Sequence, residues 1–338
     1  MKNILLLLLF CVLISCKNEK SSNTYSYNLK ASEIIKSFVL DSDVKYNAFY
    51  LYTFSDDKGK EYLTFLNYRT NQILFYDLET TDFLFKLNLN SEGPHGVVQP
   101  TGLYVKDLNH IYVSSYVYSG LMRVDTTCHI IQKIPYGITS KGYNVLPSYT
   151  PSSHPYIAPV IIDKKIYITQ NAIDRFHPIV DTPLSVVIDT VQKSCEDLPL
   201  TYGILTEKEL AIKDPRFSRV FNGKEFIYSF YVSEDIVVTS VDHSEVKKIS
   251  VKSKYLDSPI VKQEVSERGP QLNLELARYG DLIYDPYREV YYRFVYPKTT
   301  LEDNIRWWGK SVYGRKKFSV IILNKDFQII GETLFPES

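Results

Sequence analysis

Cysteine is scarce in this chain, four in 338 residues, which excludes a fold stapled by many disulfides. Net charge is missing too: 39 basic residues face 39 acidic ones, so there is no basic footprint for nucleic acid. The longest apolar run, Ile4 to Ile14, falls short of the ~20 residues a transmembrane helix needs. No Cys-x-x-Cys, His-Glu-x-x-His or Gly-x-Ser-x-Gly occurs. Gly309-Lys310-Ser311 ends like a phosphate loop but has Asn304 where the earlier glycine belongs. Asp41-Ser42-Asp43 opens like a calcium loop but places Tyr46 at the turn glycine. These gaps leave no catalytic residue, metal ligand or cofactor to single out.

What the chain has in plenty is tyrosine, 28 residues, with 17 phenylalanines. Aromatics favour strands and half-buried surfaces, so composition points to an all-β domain.

The N-terminus gives an address. Lys2 precedes the apolar run, which closes on Leu13-Ile14-Ser15-Cys16. That is the order of a secretory signal peptide ending in a bacterial lipobox. The expected organisation is a signal peptide over 1–15, a lipidated polar tether over 16–24 and a globular domain over 25–338. Cys16 would carry the lipid and hold the protein on a membrane without spanning it. Lys17 after the cysteine argues for the outer membrane of the cell envelope. Only Glu19 follows as an acidic signal for surface display, so the periplasmic and cell-surface faces stay open. Cys11 leaves with the signal peptide, and Cys128 and Cys195 remain, read as two buried thiols or as one disulfide.

A hairpin pattern recurs through the domain, an apolar strand ending in Asp or Asn followed by a second apolar strand. It runs through Ile73 to Leu87, Leu121 to Ile134, Val186 to Asp189, Ile236 to Val251 and Val320 to Leu334. A second hairpin precedes three of these: Gly102 to Ser115, Ile157 to Gln170 and Asp281 to Tyr296. Two hairpins make a four-stranded antiparallel sheet of propeller-blade size. The Asp or Asn at each turn is read as structural, since it tolerates the conformations a tight hairpin needs. The strand Ile34 to Leu40 has no partner, and is expected either to close the ring or to belong to a further blade. The expectation is a β-propeller of five to seven blades, with six favoured.

Numbering strands outward from the channel, the links between first and second strands, and between third and fourth, are short. The other links hold every long segment: Asn90 to Thr101, Pro135 to Tyr156, Asn171 to Pro183, Pro199 to Pro215, Ser253 to Arg278 and Pro297 to Lys317. Loops beyond ~12 residues in a compact domain usually serve a function. Tyr149, His154, His177, Arg306, Trp307 and Trp308 on these links are the candidate ligand-binding residues, because Trp and Tyr with Arg suit interface anchors and sugar platforms. Glu92, His95 and Asp174 share the rim. Asp281, Asp285, Arg288 and Arg293 are expected to tie adjacent blades as Arg-carboxylate pairs.

The lipobox, Glu92-Gly93-Pro94, and the run Tyr279-Gly280-Asp281-Leu282-Ile283-Tyr284-Asp285-Pro286-Tyr287-Arg288 into Tyr291-Tyr292-Arg293-Phe294 together resemble a family of Bacteroidota-type lipoproteins grouped under a domain of unknown function, DUF4221-like, similar in look to six-bladed TolB-like propellers. The resemblance implies a propeller and an envelope location, and no reaction. Three functions are therefore carried forward. The first is a non-enzymatic module binding a glycan, peptide or partner protein. The second is a hydrolase or lyase acting on polysaccharide, and the third is a scaffold lipoprotein in an envelope complex.

Overall fold

A computed structural model describes residues 26–40, 42, 44, 51–67, 69–94, 96–115, 117–142, 158–170, 178–212, 216–256, 277–298 and 317–336. These residues form five four-stranded antiparallel sheets, each built from consecutive strands. Blade one holds β1 (Tyr52–Ser55), β2 (Glu61–Asn67), β3 (Gln72–Asp77) and β4 (Phe83–Asn88). Blade two holds β5 (Pro100–Asp107), β6 (His110–Ser115), β7 (Gly120–Val124) and β8 (Ile130–Pro135). Blade three holds β9 (Val160–Ile162), β10 (Lys165–Thr169), β11 (Ser185–Asp189) and β12 (Ser194–Asp197). Blade four holds β13 (Phe217–Phe221), β14 (Phe226–Phe230), β15 (Asp235–Thr239) and β16 (Val246–Ser250). Blade five holds β17 (Arg278–Asp285), β18 (Val290–Tyr296), β19 (Phe318–Leu323) and β20 (Ile329–Phe335).

The chain is thus the expected all-β propeller, at the lower end of the expected range, with five blades among the described residues and not six. The sequence pattern had located all five outer hairpins but only three inner ones. The missing pairs are β1 with β2 and β13 with β14.

Each blade is covered on both faces, by neighbouring blades or, on one side of blade one, by the N-terminal segment, so its second and third strands must be apolar on both faces. β14 is buried at every position, and β2, β3 and β6 nearly so, whereas the outermost β16 is largely exposed. The core is correspondingly a chain of inter-blade layers. Leu66, Ile73 and Phe75 pack on Leu103, Val113 and Met122. Leu121 and Ile134 meet Ile166 and Val186, while Tyr167 and Leu184 meet Phe226 and Phe230. Val220, Ile227 and Ile236 meet Leu282, Tyr291 and Val295. Each fully buried aliphatic or aromatic side chain contributes about 1.5–3 kcal/mol relative to exposure.

The seam between blades five and one is closed by a different device. Ile34 to Leu40 is not a strand. Residues 26–29 attach to blade five: the amides of Ser26 and Tyr27 donate to the Ile330 carbonyl at 3.1 and 3.2 Å, and that of Leu29 to Thr333 Oγ1 at 2.8 Å. Further on, Phe38 stands edge-on to Tyr76 at 5.6 Å, and the Tyr76 hydroxyl donates to the Val39 carbonyl at 3.1 Å. Phe38 and Val44 thereby cover Leu63, Phe65 and Leu74, the face of blade one that no other sheet packs against among the described residues.

The turns between first and second strands and between third and fourth strands all lie at one end of the ring, and their Asp and Asn residues are structural as expected. Oδ1 of Asp77 accepts from the amides of Glu79 and Thr80, and Asp189 serves Val191 and Gln192 in the same way. Asn222, Asp285 and Asn324 repeat the motif. Such side-chain acceptors complete the turn without help from a neighbouring strand.

At Arg288 and Arg293 the expected Arg-carboxylate ties between blades are not what forms. Arg288 pairs with Asp285 at 2.8 Å inside its own turn. Arg293 reaches across to blade four, but to backbone: it donates to the carbonyls of Ser233 and Glu234 at 2.6 Å and of Val251 at 3.1 Å, and to Ser229 Oγ at 3.0 Å. Five donors in a rigid fork suit a ring of carbonyls as well as a carboxylate. Cys128 and Cys195 are free thiols, the first half-buried and the second buried, where desolvation pushes its thiol up to about 12.

Candidate functional site

Strand boundaries place every long link at one end of the ring, opposite the turns that join first to second and third to fourth strands. Tyr149, His154, His177, Arg306, Trp307 and Trp308 on those links lie outside the described residues, as do Cys16, His95 and Asp174. Glu92 is described and exposed.

At the same end, beside the inner strands of blades four and five, the structure assembles a cluster that the sequence had not shown. β13 and β17 pack together there, with the Leu282 amide donating to Ser218 Oγ at 2.7 Å and the Tyr279 amide to the Tyr231 carbonyl at 3.0 Å. Arg216, just before β13, holds its guanidinium 5.1 Å from the Tyr231 ring centre. Arg278, opening β17, stands 5.8 Å from that ring and 5.2 Å from the Tyr296 ring. Both distances are within cation–π range. The Tyr231 hydroxyl donates to Asp281 Oδ1.

Asp281 is aimed by a β-bulge between Tyr279 and Leu282, with Gly280 inside it. A Cβ on Gly280 would stand 2.7 Å from Cε2 of Tyr296, so glycine is what lets the Tyr296 ring lie against the bulge. Burial lifts the Asp281 carboxyl above its ordinary range, opposed by the Tyr231 hydrogen bond and by the charges of Arg278 and Arg216. Burial, reinforced by Asp281, likewise raises the Tyr296 phenol. Two guanidiniums therefore face one carboxylate, beneath aromatic faces, at the open end of the ring. That arrangement can hold a negatively charged group and stack a flat one.

A second polar constellation has a catalytic composition but no access. Tyr228 Oη lies 2.7 Å from Ser185 Oγ and 2.5 Å from His243 Nε2, and Arg219 donates to Ser185 Oγ at 2.9 Å and to the carbonyls of Tyr167 and Ala158 at 3.0 and 3.1 Å. All four side chains are sealed between blades three and four. Burial, then the charge of Arg219, pulls the His243 imidazole down to about 4. The imidazole is neutral, and the network ties blades rather than handling a substrate. Among the described residues no group of three or more His, Cys, Asp or Glu could hold a metal ion.

Comparison with known proteins adds the following. The family model described as "Domain of unknown function (DUF4221)" matches residues 26–334. A crystal structure of a member of that family from Bacteroides vulgatus is 25% identical, with a TM-score of 0.71 over 89% of this chain and 84% of that one. A Bacteroides fragilis protein described as exported is 10% identical, with a TM-score of 0.51 over 88% of this chain and 74% of that one. Its likeness concerns the fold alone. No curated protein matches the chain.

Proposed function

The chain belongs to the DUF4221 family, and from that premise we propose that it is a lipid-anchored protein of the cell envelope that binds a ligand without converting it. The ligand, a glycan, a peptide or a partner protein, carries negative charge and docks on the long-link end over blades four and five. The observation that carries this reading is the pair Arg216 and Arg278 held over Tyr231 at that end. Support for the address comes from the lipobox at Cys16.

Arrays of neutral, carboxylated and sulfated glycans, with acidic peptides beside them, test the reading. Wild-type protein should retain anionic ligands in a salt-sensitive manner, because a charged hydrogen bond is worth ~1.5–3 kcal/mol and is screened by ions. Arg216→Gln and Arg278→Gln should each weaken retention about tenfold or more on that scale. Equal retention by wild type and both variants rejects the site. Labelling with a palmitate analogue tests the anchor, and label kept by Cys16→Ala rejects it.

One observation favours a hydrolase or lyase, namely the raised Asp281 carboxyl beside the Tyr231 hydroxyl. In that case Asp281→Asn would abolish depolymerisation of a charged polysaccharide while leaving it bound.

A further inference from the structure

We infer that the short-turn end of the propeller, at the seam between blades five and one, rests on the lipid bilayer surface, so that the long-link end faces away from the membrane. The inference rests on the lipid-anchor reading. Ile34, Ile35 and Val39 are 78, 85 and 83% exposed, an accumulation of aliphatic surface that a soluble face does not ordinarily carry in six residues. Their place in the ring is fixed: Lys36 Nζ donates to the Leu78 carbonyl at 2.5 Å in the β3–β4 turn, and the Tyr76 hydroxyl holds Val39.

Two exposed aromatics flank the same spot, Phe83 just past that turn and Tyr287 in the β17–β18 turn. The Tyr287 hydroxyl donates to Glu61 Oε1 across the seam at 3.3 Å, so the patch spans both blades. Lys30 and Lys58 are exposed nearby in sequence or turn, and so are Glu33, Asp57, Glu79 and Asp82, so net charge adds nothing there. Aliphatic side chains entering the acyl boundary with aromatic rings at its edge make the composition of an interfacial contact.

Chain length agrees. Nine residues separate Cys16 from Ser26, a span of at most about 36 Å when fully extended. The lipid therefore tethers the molecule at the seam itself, since Ser26 and Tyr27 attach to β20. A ligand site at the opposite end of the inner strands is then left clear of the headgroups.

The test uses the full lipidated chain in phospholipid vesicles, with Cys128→Ser removing the half-buried thiol. An environment-sensitive fluorophore is placed at Ile35→Cys or, at the long-link end, at the exposed Val117→Cys. Nitroxide-labelled phospholipid should quench the first about twofold or more, as contact at the acyl boundary requires, and leave the second unchanged. In unlabelled wild type, amide exchange over 32–40 should slow on the vesicles. Equal quenching at both positions, or none at Ile35→Cys, overturns the seating. Acyl incorporation on the same preparation separates the two readings. Incorporation without quenching overturns the seat alone, whereas no incorporation, with the protein free of the vesicles, overturns both.

Discussion

His243 is the side chain through which this molecule should feel mild acid. Its imidazole is buried and titrates at about 4 in the fold, against an ordinary 6.5. The folded value is depressed, so the unfolded chain takes up the proton first as pH falls. Stability is whole above pH 6.5 and declines as pH drops from 6.5 to 4, by up to roughly 3 kcal/mol for a shift of that size. Urea unfolding of wild type and His243→Gln between pH 7.5 and 4.5 checks this, with the variant giving the flatter profile. Below that window the turn carboxylates Asp77 and Asp242, held down to about 2 by hydrogen bonds to their charged form, govern the acid limit. Arg293 is the other residue whose environment decides its role. Burial lowers its guanidinium to about 10, so it stays charged at neutral pH, stacked 3.9 Å from the Tyr279 ring centre. Lysine cannot offer the same planar fork, and Arg293→Lys should cost about 3 kcal/mol or more through carbonyls left unpaired. A loss under 1 kcal/mol in denaturant melts would show that the carbonyl ring finds other partners.

At the scale of the element, the hairpins were readable because their chemistry is local. An apolar run, an Asp or Asn that accepts from amides two and three residues on, and a second run carry everything the turn requires, as around Asp77 and Asp189. β13 was not readable for the opposite reason. Arg219 sits in its middle, and only the acceptors outside its own blade, Ser185 Oγ and the Ala158 and Tyr167 carbonyls, make that arginine acceptable inside. β1 is four residues long with one buried position, too little for a pattern. The charged cluster was equally hidden, since Arg278 and Asp281 of β17, Tyr296 of β18 and the link residues Arg216 and Tyr231 of blade four meet through blade packing. The signal that could have found it is an arginine at the start of the inner strand in two consecutive blades. The bulge at Gly280 is where element and site meet. Gly280→Ala would drive the Tyr296 ring off the bulge, for ~1–3 kcal/mol of overpacking strain. Any anionic ligand should then bind more weakly than the stability loss alone explains, which melting curves and array binding on one preparation can separate.

At the scale of the whole molecule, the ring is joined by chain that belongs to no blade. Residues 26–29 lie along the outer edge of β20 and cover backbone that would otherwise be an open sheet edge. The contact is close: a Cβ on Gly331 would stand 2.2 Å from the Tyr27 carbonyl oxygen. Gly331→Ala should therefore free the N-terminal segment while the five blades persist, read as faster amide exchange confined to 26–40 at nearly unchanged overall stability. Loss of exchange protection across blades one and five together would mean that the seam holds the ring as a whole. The same attachment determines how the molecule yields to mechanical load. Tension entering through the N-terminus meets Tyr27 and Leu29 before any strand of a blade, and only a few hydrogen bonds hold them. Those bonds are few beside the ladders of five blades, so the segment works as a weak fuse that lengthens under a tug and spares the propeller behind it.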